Sequence, residues 1–189
     1  MTELQTPPGP RDFGRTATAP AVRRPGWRLV DIPTAADGRG ILSFAEGNCQ
    51  VPFPIERVYW IYGMPSDTHR GRHAHRSVRE LVVAAAGEFN VHCDNGTDHD
   101  TSHLDNPSCG LLVEPGVWKE LDAFSPGAVC LVLASGAYEE NEYERDYSKF
   151  IAAVHAALPA LARLPSRGAA ASPFRAASFV QRPPAADLP

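Results

Sequence analysis

The sequence predicts an all-β domain, either a sandwich or a barrel, on three observations. Short runs of aromatic, aliphatic and β-branched residues recur at close spacing from residue 27 to residue 134. Turn-forming Gly, Pro, Asn and Asp residues separate these runs, as at 37–40 and 94–96. A helical apolar period is found only near the end of the chain, in 146–158. Short strands with such turns between them are typical of sandwiches and barrels.

The individual strands follow from local pattern. Residues 57–62 are aromatic and β-branched, which predicts a strong strand, and 128–134 are continuously apolar, which predicts a deeply buried one. The run 118–121 is too short to assign. The predicted helix ends at Pro159, because proline lacks the N–H that helical bonding needs. The other predicted strands are 27–32, 41–46, 81–86, 89–93, 99–104 and 110–113.

Length and composition predict one folded domain with two tails. The chain has 189 residues, of which 43% are hydrophobic and 21% charged, as in globular proteins. Residues 1–25 are rich in Pro, Thr, Ala and Arg without a period, which predicts a disordered arm. Residues 159–189 are rich in Ala, Pro and Arg and are expected to be a disordered tail. The folded domain is therefore expected at 26–158.

Charge and hydropathy exclude several classes of function. A net charge of −4 argues against general binding to nucleic acid or to a membrane surface. No apolar run approaches the roughly 20 residues that a membrane span needs. The N-terminus lacks an apolar signal core, so we expect a cytoplasmic protein. The four cysteines show no CxxC spacing and are expected to be reduced thiols.

The most informative stretch is 70–76, which contains His73 and His75. Alternate side chains of a strand share one face, so both imidazoles are expected to point the same way. Two neutral imidazoles side by side can bind a metal, or can exchange protons with a small substrate. Either role requires a concave wall, and the apolar run 81–86 is the strand expected to supply it.

A set of motifs in a fixed order carries a resemblance to a known family. The motifs are Asp37-x-Arg-Gly, Pro52-Phe, Arg57-Val-Tyr-x-Ile-Tyr62, Arg70-Gly-x-His-Ala-His-Arg76, Gly110-Leu, Pro115-Gly-x-Trp118-x-Glu-Leu, 124–135 and Tyr143-x-Arg-Asp-Tyr147. Together they resemble the nucleotide-sugar 3,4-ketoisomerases of the cupin superfamily. These are WxcM-like proteins that act on dTDP-4-keto-6-deoxy-glucose, and the resemblance covers residues 27–154.

The resemblance implies a fold, an assembly and an activity. The fold is a cupin-type antiparallel barrel, or jelly roll, and the assembly is a homodimer that exchanges N-terminal strands. The reaction moves the ketone of a dTDP-4-keto-6-deoxy-hexose from C4 to C3, in deoxysugar biosynthesis, without a metal or a cofactor. His73 and His75 are the implied acid and base, and which of them is the base stays open.

Other residues are candidates for holding this substrate. Tyr59, Tyr62 or Arg70 can hold the oxygen of an enediolate. The two tyrosines lie three apart and face opposite sides of one strand, so at least one is expected to serve packing only. Trp118 is expected in the core. The diphosphate needs cations, for which the candidates are Arg39, Arg70, Arg72 and Lys119, with Arg57 and Arg76 weighed as surface charges.

Glu80 departs from the family pattern, because most of the ketoisomerases that this chain resembles have glutamine there. As a site residue it can contact substrate, form an ion pair with Arg79 or Arg72, or raise the pKa of His75. With the two histidines it also resembles a metal site, which suggests a metal-dependent cupin dioxygenase or isomerase. Lys119 opposes this, since a lysine repels a cation. A third alternative is a nucleotide-sugar-binding module without activity.

Overall fold

Two five-stranded antiparallel sheets and a separate hairpin form the domain in the computed structural model, which describes residues 26–65 and 67–161. The first sheet has the order β1-β9-β6-β11-β4, the second has β12-β5-β10-β7-β8, and β2 pairs with β3. The strands are β1 Trp27–Asp31, β2 Thr34–Asp37, β3 Gly40–Ser43, β4 Arg57–Tyr62, β5 Arg70–His75, β6 Glu80–Ala86, β7 Phe89–Asp94, β8 His99–Leu104, β9 Cys109–Val113, β10 Trp118–Asp122, β11 Val129–Ala134 and β12 Tyr143–Glu144.

The chain crosses repeatedly from one sheet to the other. From β4 onward every connection changes sheet except the β7–β8 hairpin, which is the alternation of a jelly roll. The all-β prediction with its late helix is therefore confirmed. No hydrogen-bonded ladder joins the two sheets within the described residues, so they form a sandwich that is not closed into a barrel.

Strand β6 is apolar from residue 81 to residue 86, and residues 81–84 are buried on both faces. Val82 and Ala84 point between the sheets, where they pack with Phe89 and Val91 of the facing sheet. Leu81 and Val83 point to the other side, where the segment 44–56 covers them through Val51 and Phe53. Glu80 has the same parity as Val82 and Ala84 and therefore also points between the sheets.

Helix α1 (Tyr147–Leu161) packs against the outer face of the second sheet. Phe150 contacts Trp118 and Ala74, so the prediction that Trp118 belongs to the core is confirmed. The prediction that Pro159 ends the helix is wrong, because α1 continues to Leu161. A proline at 159 removes one N–H donor, the one that would bond the carbonyl of residue 155, and the helix extends only two residues beyond it.

Several boundaries differ from the sequence-based expectation. The unassigned run 118–121 is strand β10, and β2 and β12 were not predicted. The predicted strand 41–46 ends at Ser43, since the chain then turns to cover the first sheet. The predicted arm 1–25 and the predicted tail from 162 lie outside the described residues. The four cysteines are free thiols. In the part of the chain that is described, no helix is long and apolar enough to cross a membrane.

Candidate active site

A cavity of about 360 Å³ opens between the two sheets. Both sheets and the segment between β11 and α1 contribute to its wall, which combines apolar side chains with four cations, three tyrosines and one histidine. It is lined by Arg57, Tyr59, Ile61, Arg70, Gly71, His73, Val82, Lys119, Leu121, Val132, Tyr138, Tyr143 and Arg145.

A β-bulge in β5 sets the register at the cavity floor. Gly71 pairs with Glu120 and His73 pairs with Lys119. Arg72 is therefore the extra residue of the bulge and has no partner on β10. Gly71 and Arg72 both have positive φ, at 78° and 57°. A Cβ on Gly71 would lie 2.7 Å from the backbone oxygen of Lys119, so only glycine fits there. The bulge thereby places Lys119 directly opposite His73.

His73 is a buried imidazole with a partner on each ring nitrogen. Its Nδ1 lies 3.0 Å from the carbonyl oxygen of Gly71, and its Nε2 lies 2.9 Å from Nζ of Lys119. A carbonyl only accepts and an ammonium only donates, which assigns the proton to Nδ1 and the lone pair to Nε2. Burial, and then the charge of Lys119, lower the pKa of His73 to about 3. His73 is therefore neutral at physiological pH.

His75 lies behind His73 and is not part of the cavity wall. Its ring packs 4.9 Å from the ring of His73 and 4.6 Å from that of Tyr143, measured between centroids. Its Nε2 is 3.1 Å from Oε1 of Glu80, yet neither ring nitrogen makes a hydrogen bond within the described residues. The prediction that the two imidazoles share one face of a strand is confirmed, but they occupy different depths.

Glu80 is a carboxylate with 1% of its side chain exposed, surrounded by donors and cations. It forms a close ion pair with Lys119 and accepts a 2.7 Å hydrogen bond from the hydroxyl of Tyr59. Burial alone would raise the pKa of Glu80, but the charge of Lys119 and the contact with His75 hold it well below its usual range. The expected pairing of Glu80 with Arg79 is wrong, because Arg79 extends outward to Glu114 at 2.9 Å.

Tyr59 and Tyr62 lie on opposite faces of β4. Tyr59 faces the cavity, and burial, then the negative charge of Glu80, raise the pKa of its phenol, which stays a hydrogen-bond donor. Tyr62 is 68% exposed on the outer face, together with Trp60. The structure therefore brings only Tyr59 to the site within one protomer, because three residues along a strand reverse the direction of the side chain.

Of the four candidate cations for the diphosphate, two line the cavity and two do not. Arg70 and Lys119 line the cavity. Arg39 lies in the turn of the β2–β3 hairpin, 91% exposed and paired with Asp37 at 2.7 Å, and Arg72 is exposed because it is the expelled residue of the bulge. Within one protomer, neither Arg39 nor Arg72 reaches the site. The β2–β3 hairpin pairs with no other described strand, and Arg72 has no partner in the ladder between β5 and β10.

Comparison with known proteins gives the family. The FdtA family model, described as "WxcM-like, C-terminal", matches residues 25–155. The chain belongs to this family. It is 37% identical over 123 residues to the TDP-4-oxo-6-deoxy-alpha-D-glucose-3,4-oxoisomerase of Aneurinibacillus thermoaerophilus, a match that covers 65% of this chain and 88% of that protein. The resemblance drawn from the motifs is thereby confirmed.

Solved structures of ketoisomerases match the same fold. A 3,4-ketoisomerase from Helicobacter canadensis is 35% identical with a TM-score of 0.67, covering 68% of this chain and 97% of that one. A variant of the 3,4-ketoisomerase QdtA from Thermoanaerobacterium thermosaccharolyticum, in complex with TDP-4-keto-6-deoxyglucose, is 32% identical with a TM-score of 0.69. That match covers 70% of this chain and 96% of the QdtA chain.

Sequence reasoning missed part of the cavity wall of this FdtA-family protein. Arg57, weighed as a surface charge, faces the cavity and donates from Nη1 to the hydroxyl of Tyr143 at 3.3 Å. Tyr143 and Arg145, which belong to the last family motif but were not among the candidate site residues, also line it, with the Arg145 guanidinium 4.5 Å from the Tyr143 ring centroid. The alternation of β4 could have found Arg57, since it shares a face with Tyr59.

His73, His75 and Glu80 also form a potential metal-binding set, with one donor atom of each within 4.8 Å of the others. Two imidazoles and a carboxylate are a recognised ligand combination for divalent transition metals. Here, however, the ammonium of Lys119 contacts both His73 and Glu80. It already supplies the positive charge and takes the Nε2 lone pair that a metal would need. The set therefore fits a metal poorly while Lys119 is in place.

Proposed function

We propose that this protein is a nucleotide-sugar 3,4-ketoisomerase that moves the ketone of a dTDP-4-keto-6-deoxy-hexose from C4 to C3. The observation that carries the proposal is the neutral imidazole of His73 at the wall of a cavity in an FdtA-family protein. The Aneurinibacillus relative is named for this reaction, and the QdtA variant holds a 4-keto sugar nucleotide.

The reaction is a pair of proton transfers through an enediol. A base removes the proton on C3, whose electron pair forms the C3–C4 double bond while the ketone oxygen takes up negative charge. An acid then delivers a proton to C4, and the hydroxyl proton on O3 passes to O4, which leaves a ketone at C3 and a hydroxyl at C4. No electrons enter or leave, so the step requires only groups that accept and donate protons.

His73 is the group in the cavity suited to begin this sequence. It is uncharged, and its Nε2 lone pair points to the same side as Lys119. His75 packs behind it, against Tyr143, and keeps the His73 ring in position. The hydroxyl of Tyr59 lies at the wall and donates its proton to Glu80, so its oxygen can accept a hydrogen bond from a hydroxyl of the sugar. In this assignment His73 contacts substrate and His75 acts through it.

The cations of the cavity wall suit the diphosphate. Arg57, Arg70 and Arg145 line the cavity, and Nε and Nη2 of Arg57 are buried without a hydrogen-bond partner in the described residues. Guanidinium groups bind phosphate oxygens through paired N–H donors. A buried donor without a partner is unfavourable, and a diphosphate oxygen would satisfy it. These three arginines are the proposed diphosphate-binding group.

We also propose a homodimer with strand exchange. The β2–β3 hairpin pairs with no other described strand and exposes Ile41 by 76% and Leu42 by 63%. The outer face of edge strand β4 exposes Trp60 by 57% and Tyr62 by 68%. Large exposed apolar residues at a sheet edge favour association with a second copy. Exchange of the hairpin would give Arg39 and Tyr62 a role at the interface between protomers.

Isotope exchange tests the activity directly. With dTDP-4-keto-6-deoxy-glucose in deuterated water, the 3-keto product should carry solvent deuterium, because protons pass through exchangeable groups. Tight binding of the sugar nucleotide without deuterium uptake would instead indicate a binding module.

The dimer is tested by light scattering, in which Trp60→Glu should shift the mass toward the monomer. The cytoplasmic location expected from the sequence stays a prediction.

The second candidate is a metal-dependent cupin enzyme, such as a dioxygenase or epimerase-like enzyme, and the cluster of His73, His75 and Glu80 favours it. A stoichiometric transition metal, with activity lost to a chelator, would support this candidate over the metal-free isomerase. The Lys119 contacts are the structural argument against it.

A further inference from the structure

Lys119 and Glu80 form a buried pair that no sequence motif explains, and we propose that the pair works as one catalytic unit. In this unit Lys119 is the catalytic cation that stabilises the enediolate oxygen, and Glu80 is the positioning residue that holds Lys119 beside His73. The inference rests on the proposed ketoisomerase function and extends it to a second charged group. The pair also includes Glu80, where most of the ketoisomerases that this chain resembles have glutamine.

The position of Lys119 is the first support. Lys119 is only 3% exposed, yet it lines the cavity next to His73. An ammonium has three N–H donors, and the structure accounts for two of them, on His73 Nε2 and on the Glu80 carboxylate. The third is available to an oxygen in the cavity. A donor fixed in advance, away from water, is the kind that stabilises developing negative charge best.

The surroundings of Glu80 are the second support. Glu80 does not line the cavity, so the expectation that it contacts substrate gives way to a role through its neighbours. Its Oε1 accepts from Tyr59 at 2.7 Å and lies 3.1 Å from Nε2 of His75 and 3.9 Å from Nη2 of Arg57. Its Oε2 forms the close ion pair with Lys119. Burying a lone ammonium is costly, and a carboxylate in contact offsets that cost. A neutral glutamine would hydrogen-bond Lys119 without balancing its charge.

The contact between Lys119 and His73 gives the pair a specific task. In the free enzyme the ammonium donates to Nε2, so the lone pair of the base is occupied. When the C4 ketone enters, the third N–H of Lys119 donates to its oxygen, and the shift of the ammonium toward that oxygen frees Nε2 of His73 to take the C3 proton. The electron pair of the C3–H bond then forms the double bond, and the oxygen that becomes negative is the one that Lys119 contacts.

Four variants test the unit: Lys119→Met, Glu80→Gln, Glu80→Gln/Lys119→Arg and Glu80→Gln/Lys119→Met. Lys119→Met should lower kcat for the isomerisation by about 10²–10³-fold, the usual effect of removing one oxyanion donor. TDP binding, measured by calorimetry, should change less than about threefold, because the proposed diphosphate arginines are separate. Glu80→Gln should lower kcat with KM nearly unchanged. Lys149→Met and Glu88→Gln, both at exposed positions, are the matched controls.

The Arg variant separates charge from packing. Arginine keeps its charge without a carboxylate partner, so Glu80→Gln/Lys119→Arg should be more active than Glu80→Gln alone. Wild-type kcat in Lys119→Met, or the absence of this rescue, would overturn the inference. In urea, Lys119→Met should unfold at a lower midpoint than the double variant Glu80→Gln/Lys119→Met, since it leaves Glu80 buried without its cation. Equal urea midpoints for these two variants would also contradict the proposal that Lys119 and Glu80 act as a pair.

The failure of the proposed function is distinguishable from the failure of this inference. If the wild-type protein takes up no deuterium, the ketoisomerase proposal fails and the catalytic unit fails with it, whatever the urea midpoints show. If the wild-type protein is active and Lys119→Met is equally active, the ketoisomerase proposal stands and the catalytic unit alone is wrong.

Discussion

Nζ of Lys119 lies 2.9 Å from Nε2 of His73, across the ladder between β10 and β5. The same ammonium is paired with Glu80, so one cation contacts two of the three residues that could hold a metal. This arrangement makes the site a charged hydrogen-bond network in which the imidazole stays neutral. Most of what we expect of the protein follows from it.

The metal content is the first expectation. Protein purified without added metal should contain well under one equivalent of transition metal, and a chelator should leave isomerase activity intact, because Lys119 takes the place of a divalent ion. Lys119→Ala removes the ammonium and exposes both imidazoles and the carboxylate, so this variant should bind Co²⁺ more tightly than wild type does. One tightly held equivalent in the wild-type protein would refute this expectation.

The second expectation concerns His73. His73→Asn should lower isomerisation by at least about 10²–10⁴-fold, the usual contribution of one acid–base group. Asparagine retains a polar side chain of similar reach, so TDP binding should persist. His155→Asn, at an exposed position on α1, is the control and should leave the rate unchanged. Deuterium uptake into product is the measurement, and undiminished uptake in His73→Asn would remove the residue from the mechanism.

The bulge gives a third expectation, from a pair of glycines in the same backbone region. Gly71 has a φ of 78° and Gly116 a φ of 74°, but only at Gly71 would a Cβ collide with a neighbour, the Lys119 oxygen. Gly71→Ala should therefore lower the free energy of unfolding by about 1–3 kcal/mol more than Gly116→Ala does. It should also reduce kcat by shifting Lys119. Urea unfolding of the two variants measures this difference. Equal losses in the free energy of unfolding would contradict the close approach of the Lys119 oxygen to Gly71.

The fourth expectation compares the two tyrosines of β4. Tyr59→Phe removes the hydrogen bond to a buried carboxylate and should cost about 1.5–3 kcal/mol of stability, together with part of kcat. Tyr62→Phe alters an exposed hydroxyl and should change stability by less than about 0.5 kcal/mol. A stability loss of equal size in the two variants would show that the Tyr59 bond contributes little.

The fifth expectation is the pH dependence of stability. His73 has a pKa of about 3 when folded against an unperturbed value of 6.5, so between these values the unfolded chain binds more protons. Stability should therefore fall as the pH is lowered below 6.5, by at most about 1.4 kcal/mol per pH unit from this group. Glu80, whose folded pKa is also depressed, adds a loss of stability of the same sign below its unperturbed pKa of 4.5.

Urea unfolding at pH 7, 6 and 5 measures this dependence. His73→Asn should flatten the curve between pH 6.5 and pH 5, because the group that titrates there in the unfolded chain is gone. His155→Asn again provides the control, since its imidazole is exposed on α1. An unchanged slope in His73→Asn would show that the buried imidazole is not held neutral.

Much of the fold could be predicted from local pattern. Strand β4 follows from its alternation of half-buried and exposed side chains, and β6 from an apolar run that is buried on both faces. The same alternation put Tyr59 and Tyr62 on opposite sides. It could not say which side faces the cavity, because that depends on which sheet packs opposite β4.

The site was only partly accessible from the sequence. The motif containing His73 and His75 pointed to β5, but the ion-pair partners considered for Glu80 were Arg79 and Arg72 and did not include Lys119. Arg79 is adjacent in sequence yet points the other way, since neighbours on a strand face opposite sides. Lys119, the actual partner, lies on a strand of the other sheet.

The sequence by itself determined the strand content, the late helix and the paired imidazoles, since each of these follows from the spacing of side chains along one segment. The tertiary structure alone decided that Lys119 sits between His73 and Glu80, that Arg57 and Arg145 reach the cavity, and that Arg39 does not reach it within one protomer. Those outcomes depend on how two sheets face each other and on one expelled residue in β5. Contacts between segments far apart in the chain leave no periodic trace in the sequence.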